Sequence, residues 1–371
     1  MAKKIKNDEI LEAVANEASP ALTTLIEDGG VQDLALSYNQ QLRNELLDSL
    51  VAKIGKSTIK TKQYQSKYKE FLKTLENGAI IEDVFVDLAQ SKGLHEHFEK
   101  ENGAGSDEAD LLSAAKQDVK SLVSSINYQK RYKATITQSR FKQAILNPEG
   151  LHTLTDTVAG TVFSSANADT DTIFMTMLQS ATANKQLTND GNGNLTLSAN
   201  TLPGIKKVMK RVKVEGATKK EVAMDLLEKI KQYSEDFTFL SDEYNMAGVK
   251  TFSLAEDLMV LVTPEMKAQL DVQALASLFN LDKASINSRI VVVKELPKIY
   301  AETTGAVGTR QTETKAMLVD RNLLNYFISH EANSSFYNGA LDITNIFYHT
   351  HGIASICTFA NAVAFVAGDL A

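Results

Sequence analysis

The chain holds a single cysteine, Cys357, among its 371 residues. One thiol excludes an internal disulfide framework and any metal site built from several thiolates. Proline is scarce as well, at 5 residues, in a composition that is 43% hydrophobic and 23% charged. That balance excludes disorder over most of the length. There is no excess of positive charge: the formal net charge of −7 argues against a protein whose whole surface clamps nucleic acid. The opening residues, MAKKIKNDEI, pass from Lys to Asp and Glu with no apolar stretch behind them, so no signal peptide is visible. What is present is length enough for a sizeable core divided into two or three domains.

The nearest approach to a membrane span lies near the C-terminal end, in FANAVAFVAGDL (359–370). The 17 uncharged residues from Gly352 to Gly368 fall short of the roughly 18–20 that a span requires. Ser355, Thr358 and Asn361 dilute the stretch, and no basic residues flank it. A strand covered on both faces reads as a continuous apolar run, so a buried strand is the better reading.

Along the chain, residues 1–60 mix Leu, Ala and acidic residues at helical spacing, broken at Gly29-Gly30. AIIEDVFVDL (79–88) reads as a strand, residues 93–108 as a loop and 107–122 as a helix opened by Asp107 and Glu108. INYQKRYKATIT (126–137) alternates, with Ile126, Tyr128, Tyr132, Ala134 and Ile136 on one face. The segments 79–88 and 126–137 are expected to pair as one projecting ribbon, which is only marginally stable without a neighbour to lie on. Asn147-Pro148 starts a long helix, either unbroken or interrupted at Ala168-Asp169. NDGNGNLTL (189–197) is a turn between short strands, and Thr218 with Glu221 forms a capping box for a helix over about 219–235. From residue 250 short elements alternate: DLMVLV (257–262), a helix from Thr263-Pro264, another capped by Asp271, RIVVVKE (289–295), AMLVD (316–320) and DITNIFYHTHG (342–352).

Several patterns imitate chemistry. Gly55-Lys56-Ser57-Thr58 ends like a phosphate-binding loop, but position 50 is Leu50 where a glycine is needed. Asp190, Asn192 and Asn194 imitate a calcium loop that lacks its glycine and its final Glu, so a polar turn is expected. His95 with His97 and His349 with His351 are HxH pairs without a third ligand at local spacing. No nucleophile signature is present, and no catalytic centre, cofactor or metal site is expected. Lys206, Lys207, Lys210, Arg211, Lys213, Lys219 and Lys220 form one basic run: either a solvated face or a surface for phosphates or an acidic partner. An α+β scaffold with a ribbon, an arm and no active site suits an assembling structural protein better than an enzyme.

LDVQALASLFNLDKA (270–284), FANAVAFVAGD (359–369) and AIIEDVFVDL (79–88) resemble segments of the major capsid proteins of small short-tailed phages, the phi 29-like group. The residues that carry the resemblance are Leu270, Asp271, Leu275, Phe279 and Asn280 in the first segment and Phe359, Asn361, Phe365, Gly368 and Asp369 in the second. The resemblance implies the Hong Kong 97 capsid fold. Its parts would be an N-terminal arm (1–60), an extended hairpin or E-loop region (61–137), a peripheral domain with a spine helix at 147–180 (138–244), an axial domain (245–325) and a C-terminal return to the peripheral sheet (326–371). In that last strand Phe359, Val363 and Phe365 would face one layer, and Ala360, Ala362 and Ala364 the other. It further implies pentamers and hexamers closing into an icosahedral head around double-stranded DNA, with a scaffolding protein and a portal as partners and no membrane. The basic run, Lys206 to Lys213, would then face an interface or the DNA. Assembly would occur in the host cytoplasm and the product would be the virion. Some relatives append an immunoglobulin-like domain, which a chain ending at Ala371 is expected to lack. A cellular nanocompartment (encapsulin-like) shell of the same fold is the alternative.

Overall fold

The computed structural model describes residues 23–24, 26, 45–46, 64–68, 71–75, 80–89, 118–146, 150–270, 290–303 and 306–367. In chain order the first elements are β1 (Leu72–Thr74), β2 (Ile80–Val86), β3 (Val119–Ser125), β4 (Tyr128–Thr137), α1 (Gln138–Leu146) and α2 (Gly150–Ala183). Then come β5 (Lys185–Asn189), β6 (Leu195–Thr201), β7 (Lys210–Val214), α3 (Lys219–Asp236), β8 (Leu258–Val262) and α4 (Pro264–Gln269). The last are β9 (Ile290–Val292), β10 (Ile299–Thr303), β11 (Ala306–Thr312), β12 (Thr314–Asp320), β13 (Leu324–Asn338), β14 (Ile343–Ile356) and β15 (Ala362–Ala367).

Two sheets organise these elements. The first has the order β1-β13-β14-β4, and its centre is the long antiparallel hairpin of β13 and β14. The 34-residue helix α2 packs on one face of it, reaching about 51 Å at 1.5 Å per residue. Threonine and serine are indifferent helix formers, yet this helix is rich in them. Their hydroxyls are absorbed by carbonyls one turn back: Thr161 donates to Thr157 at 2.7 Å, Thr176 to Thr172 at 2.9 Å and Thr182 to Leu178 at 3.0 Å. The stripe that carries Ile173, Phe174, Met177, Leu178 and Ala181 is buried, Thr182 with it. No interruption occurs at Ala168-Asp169, because Asp169 is held from outside. Its carboxylate accepts from Lys130 Nζ at 2.7 Å and from Tyr132 Oη at 2.6 Å, while Asp171 accepts from Tyr64 and Ser66. The helix is thus riveted to β4 and to residues 64–66.

The second sheet has the order β7-β15-β12-β8-β9 and is mixed, with parallel pairs β15–β7 and β8–β9. Its middle strands are buried along their length, and the period of two sorts their side chains between two layers. Leu258, Val260, Val262, Ala316, Leu318, Val363 and Phe365 pack with Leu226 and Ile230 of α3. Met259, Leu261, Met317, Val319, Ala362, Ala364 and Val366 pack in the larger core with Met177 and Leu178 of α2. The capping box of α3 is formed as expected, Thr218 Oγ1 accepting from Glu221 N and the Glu221 carboxylate from Thr218 N. Thr263 caps α4 in the same way, accepting from Met266 N.

Five expectations need correction. The segment 79–88 is a strand, but β2 pairs with β3, whereas β4 pairs with β14. One edge of β4 is taken by β14 and its inner face by α2 through Lys130, Tyr132 and Asp169, while β2 takes β3 as its partner. The helix expected over 107–122 cannot reach its end, since Val119–Ser125 alternates exposed and covered residues and buries Leu122. The long helix runs on to Ala183 rather than 180, and α1 precedes it. The terminal strand does not join the sheet beneath α2: β15 pairs on one side with β7, inside the expected 138–244 unit, and on the other with β12, from the expected 245–325 unit. Its Val363 and Phe365 need the apolar cover of α3, which the first sheet does not offer. Phe359 leaves that layer and joins Leu122, Ala247 and Val249 in a separate small cluster. The expected break at Gly29-Gly30, the loop at 93–108, the helix start at Asn147-Pro148, the helix capped by Asp271, Gly55 to Thr58 and the His95/His97 pair lie outside the described residues.

Candidate assembly surfaces

The ribbon of β2 and β3 pairs Ile80 with Ser125 at one end and Val86 with Val119 at the other. One face is anchored in the chain's own core. The Phe85 ring stacks on Phe359 with centroids 5.5 Å apart, and Leu122 is buried with Ala247 and Val249. Gly204, at φ 74°, makes the room: a Cβ there would lie 2.8 Å from Leu122 Cδ2. The other face presents Ile80, Val84, Val86, Val119 and Val123, each at least half exposed (50–62%). Covering such side chains is worth roughly 1 kcal/mol apiece, and a two-stranded ribbon is marginal without cover. Glu82, opposite Val123, and Ser121 and Ser125 share that face, so it is a mainly apolar strip with one carboxylate; an exposed apolar strip of this kind marks a surface that another protein chain covers.

The C-terminal motif ties this ribbon to the second sheet. Phe359 carries the stack on Phe85, and Phe365 is fully buried against α3. Asn361, 1% exposed, donates Nδ2 to Ser253 Oγ at 3.1 Å, and Ser253 donates in turn to the buried Asp320 at 2.5 Å. Leu270 is buried in the same layer as Phe365. Asp271, Leu275, Phe279, Asn280, Gly368 and Asp369 lie outside the described residues.

The basic run is not a bare cationic face. Lys207 meets Asp242 at 3.1 Å, Lys210 meets Glu243 at 3.0 Å, Lys213 meets Glu215 at 3.6 Å and Lys219 meets Glu265 at 2.8 Å. Lys210 also lies 4.5 Å from the Tyr244 ring centroid. Lys206 is held through its main chain, donating to Met246 O at 2.8 Å. Lys210, Arg211 and Lys213 belong to β7, an edge strand, where long charged side chains hinder unwanted strand pairing.

The imitations of metal sites resolve into structure. Asp190 accepts from the main-chain N–H groups of Asn192 and Asn194 at 2.7 and 3.0 Å, closing the β5–β6 turn. His349 and His351 share one face of β14, with His330 opposite His351 on β13. Among the described residues no group of three His, Cys, Asp or Glu side chains is arranged to hold a metal ion. Cys357 is partly buried under the ribbon, and loss of solvent pushes its thiol up to about 11. Sequence reasoning missed the ribbon's true second strand and therefore its exposed apolar face; the alternation of Val119, Ser121 and Val123 was the signal available.

A long helix backing a long hairpin sheet, joined to a second mixed sheet and bearing a projecting ribbon, defines a shell subunit of the Hong Kong 97 capsid class. The fold matches that of a chain in the capsid structure of Staphylococcus phage Andhra with a TM-score of 0.59, at 13% identity over 83% of this chain and 86% of that one. The chain belongs to the Phi29-like phage major capsid protein family, whose model matches residues 11–366. It is 24% identical to the major capsid protein of Bacillus phage B103 over 97% of its own length and 73% of that protein's. It is 23% identical to the major capsid protein of Streptococcus phage Cp-1, over 97% of its own length and 94% of the other. Its function is that of a phage major capsid protein, a component of the virion. The nanocompartment alternative gains no comparable support from these relatives.

Proposed function

We propose that copies of this chain form pentamers and hexamers that close into an icosahedral head around double-stranded DNA, built in the host cytoplasm with a scaffolding protein and opened at one vertex by a portal. The observation that carries this reading is the half-docked ribbon. One face is fixed by Phe85 and Leu122, and the other, with Ile80, Val84, Val86, Val119 and Val123, has no cover within the described chain. A second copy supplies the missing cover, and repetition of that contact closes a ring. Residues 61–125 then serve as the E-loop region, α2 as the spine helix of the peripheral domain and the second sheet as the axial domain, with β15 included in the latter. Residues 1–60 act as the arm. The basic run guards the β7 edge and an interface rather than gripping DNA, since much of its charge is already met by Asp242, Glu243 and Glu265. The acidic net charge fits a container that need not hold its cargo tightly. Electron microscopy of the expressed chain, alone and co-expressed with a phage scaffolding protein, should show rings or closed shells. A stable monomer under all such conditions would overturn the proposal.

A further inference from the structure

A second exposed apolar patch lies where the chain leaves α3. The backbone runs out through Phe239 and Leu240, turns, and comes back through Phe252 and Leu254. Ser241 and Thr251 exchange both main-chain hydrogen bonds, at 3.0 and 3.1 Å, so the residues one step along, Leu240 and Phe252, stand opposite each other on one face. Ser253 points inward, donating to Asp320 and accepting from Asn361, which turns Phe252 and Leu254 outward together. Its N–H meets Phe237 O at 2.8 Å and seats the returning segment against the end of α3. Leu240, Phe252 and Leu254 are 49%, 55% and 51% exposed, and Phe239 at their border 69%. The charge beside them is mainly negative. α3 closes on Glu235 and Asp236 with no basic residue in its last turn, although the free carbonyls of a helix C-terminus favour cations. Glu256, exposed, follows Leu254 on the other side. Lys207 and Lys250 stand away at the turn, where both hold the Asp242 carboxyl below its usual range. Arg321 is set beside Asp257, its N–H on the Asp257 carbonyl, so Asp257 adds little to the balance.

We propose that this patch docks an amphipathic helix of a separate protein, one whose apolar stripe is flanked by lysine or arginine. Shape argues for a helix. Facing residues on two antiparallel segments lie about 5 Å apart and alternate residues on one segment about 7 Å, comparable with the roughly 5–6 Å between neighbouring side chains of a helical stripe. Recognition of a helix by an apolar surface reads such anchors at i, i+3, i+4 and i+7. Charge selects the flanks: cations there meet Glu235, Asp236 and the α3 carbonyls on one side and Glu256 on the other. A second copy of this chain fits less well. The apolar stripes of its α1, α2 and α3 are already spent, with Phe141 and Ile145, Phe174 and Leu178, and Leu226 and Ile230 buried in their own subunit. Its ribbon offers an apolar strip, but Glu82 on that strip would meet the carboxylates here with like charge. The inference goes beyond the shell reading, since it concerns a partner of different sequence.

The test uses the full chain and two fluorescein-labelled helical peptides of about 18 residues with the same leucine stripe, one flanked by lysines and the other by glutamates. Anisotropy at about 50 mM salt should show the lysine peptide bound about tenfold tighter than the glutamate peptide, an advantage that shrinks to about twofold at 0.5 M salt as screening sets in. F239S/F252S should weaken the lysine peptide at least about tenfold. L240S/L254S removes the other half of the patch and should do the same, which keeps the test decisive if one variant melts below the parent. E235Q/E256Q should weaken the lysine peptide about threefold at low salt and leave high-salt binding unchanged. Lysine-peptide binding that survives both serine variants is general attraction to an acidic chain and overturns the proposal. Equal binding of the two peptides at low salt overturns it as well. So does self-association of the parent chain in sedimentation that F239S/F252S abolishes without any peptide binding, which assigns the patch to a second copy. Shell formation enters none of these readouts, so micrographs without shells refute the shell reading alone.

Discussion

Removing the Asp169 carboxylate should loosen the helix from its sheet, and the size of the effect follows from its contacts. Asp169 accepts from Lys130 Nζ at 2.7 Å and Tyr132 Oη at 2.6 Å, with Tyr128 Oη at 3.5 Å and a further 2.6 Å link between the two tyrosines. Lys130 and Asp169 side chains retain only 24% and 25% exposure. A fully buried pair broken on one side costs about 3–5 kcal/mol, and an exposed one about 0–1 kcal/mol. At a quarter exposure, Asp169→Ala should cost about 2–3 kcal/mol. Asp169→Asn keeps one acceptor oxygen and should cost about half of that. For a chain of this size the alanine variant should melt roughly 3 °C lower, or shift the urea midpoint in proportion. The measurement that isolates the pair is a double-mutant cycle with Lys130→Met, where the two losses should be coupled by more than about 1 kcal/mol. Tyr132 offers a second readout. Burial first, and then its bond to Asp169, drives its phenol far above the ordinary range, so Asp169→Ala should let it ionise earlier in an alkaline titration. An alanine variant within about 0.5 kcal/mol of the parent, with additive partners, would refute the argument that the carboxylate fastens the helix.

Val84→Glu with Val123→Glu places two carboxylates on the exposed ribbon face; the melt of the dispersed chain should stay within about 0.5 kcal/mol while shell formation in micrographs is lost. Phe365→Ala empties a fully buried site between β15 and α3 and should cost about 3–5 kcal/mol by urea unfolding. His351 has a folded pKa below its unfolded value, so the unfolded chain binds more protons in that window; stability is full above about pH 6.5 and should fall as pH drops through the folded pKa. His351→Gln should flatten that part of a stability profile measured from pH 8 to pH 5.

The parts of this structure legible in the sequence were those written in local chemistry. Thr218 and Glu221 spelled a capping box, Asp190 to Asn194 a turn, and the alternation from Tyr128 to Thr137 a half-covered strand; all three formed. The apolar run at 359–370 declared burial on both faces, and Ala362, Val363, Ala364 and Phe365 are buried. Partnership between distant segments was not legible, because strand propensity specifies a conformation and not the neighbour that satisfies its hydrogen bonds. β2 found β3 rather than β4 for that reason, and β15 found β12 and β7. The 15-residue β13 escaped notice because a register shift between Ile328 and His330 breaks its period of two. The candidate assembly surface suffered most: periodicity separates the two faces of a ribbon, but only the docked Phe85 shows which of them stays wet.

Strands β3 and β4 are separated by just Ile126 and Asn127, so one nearly continuous run of backbone belongs first to the ribbon and then to the sheet. Asn127 is clamped at that joint: its Nδ2 donates to Ala354 O at 2.7 Å, its Oδ1 accepts from Ala354 N at 2.9 Å, and its own N–H reaches Gly352 O at 3.3 Å. In mechanical terms the ribbon is a lever and Asn127 its fulcrum. A push at the ribbon's outer end arrives as torque on β14, the strand that runs between β13 and β4 in the sheet beneath the long helix. Load on the ribbon therefore reaches the first sheet at Asn127 and the second sheet at the docked Phe85 and Leu122.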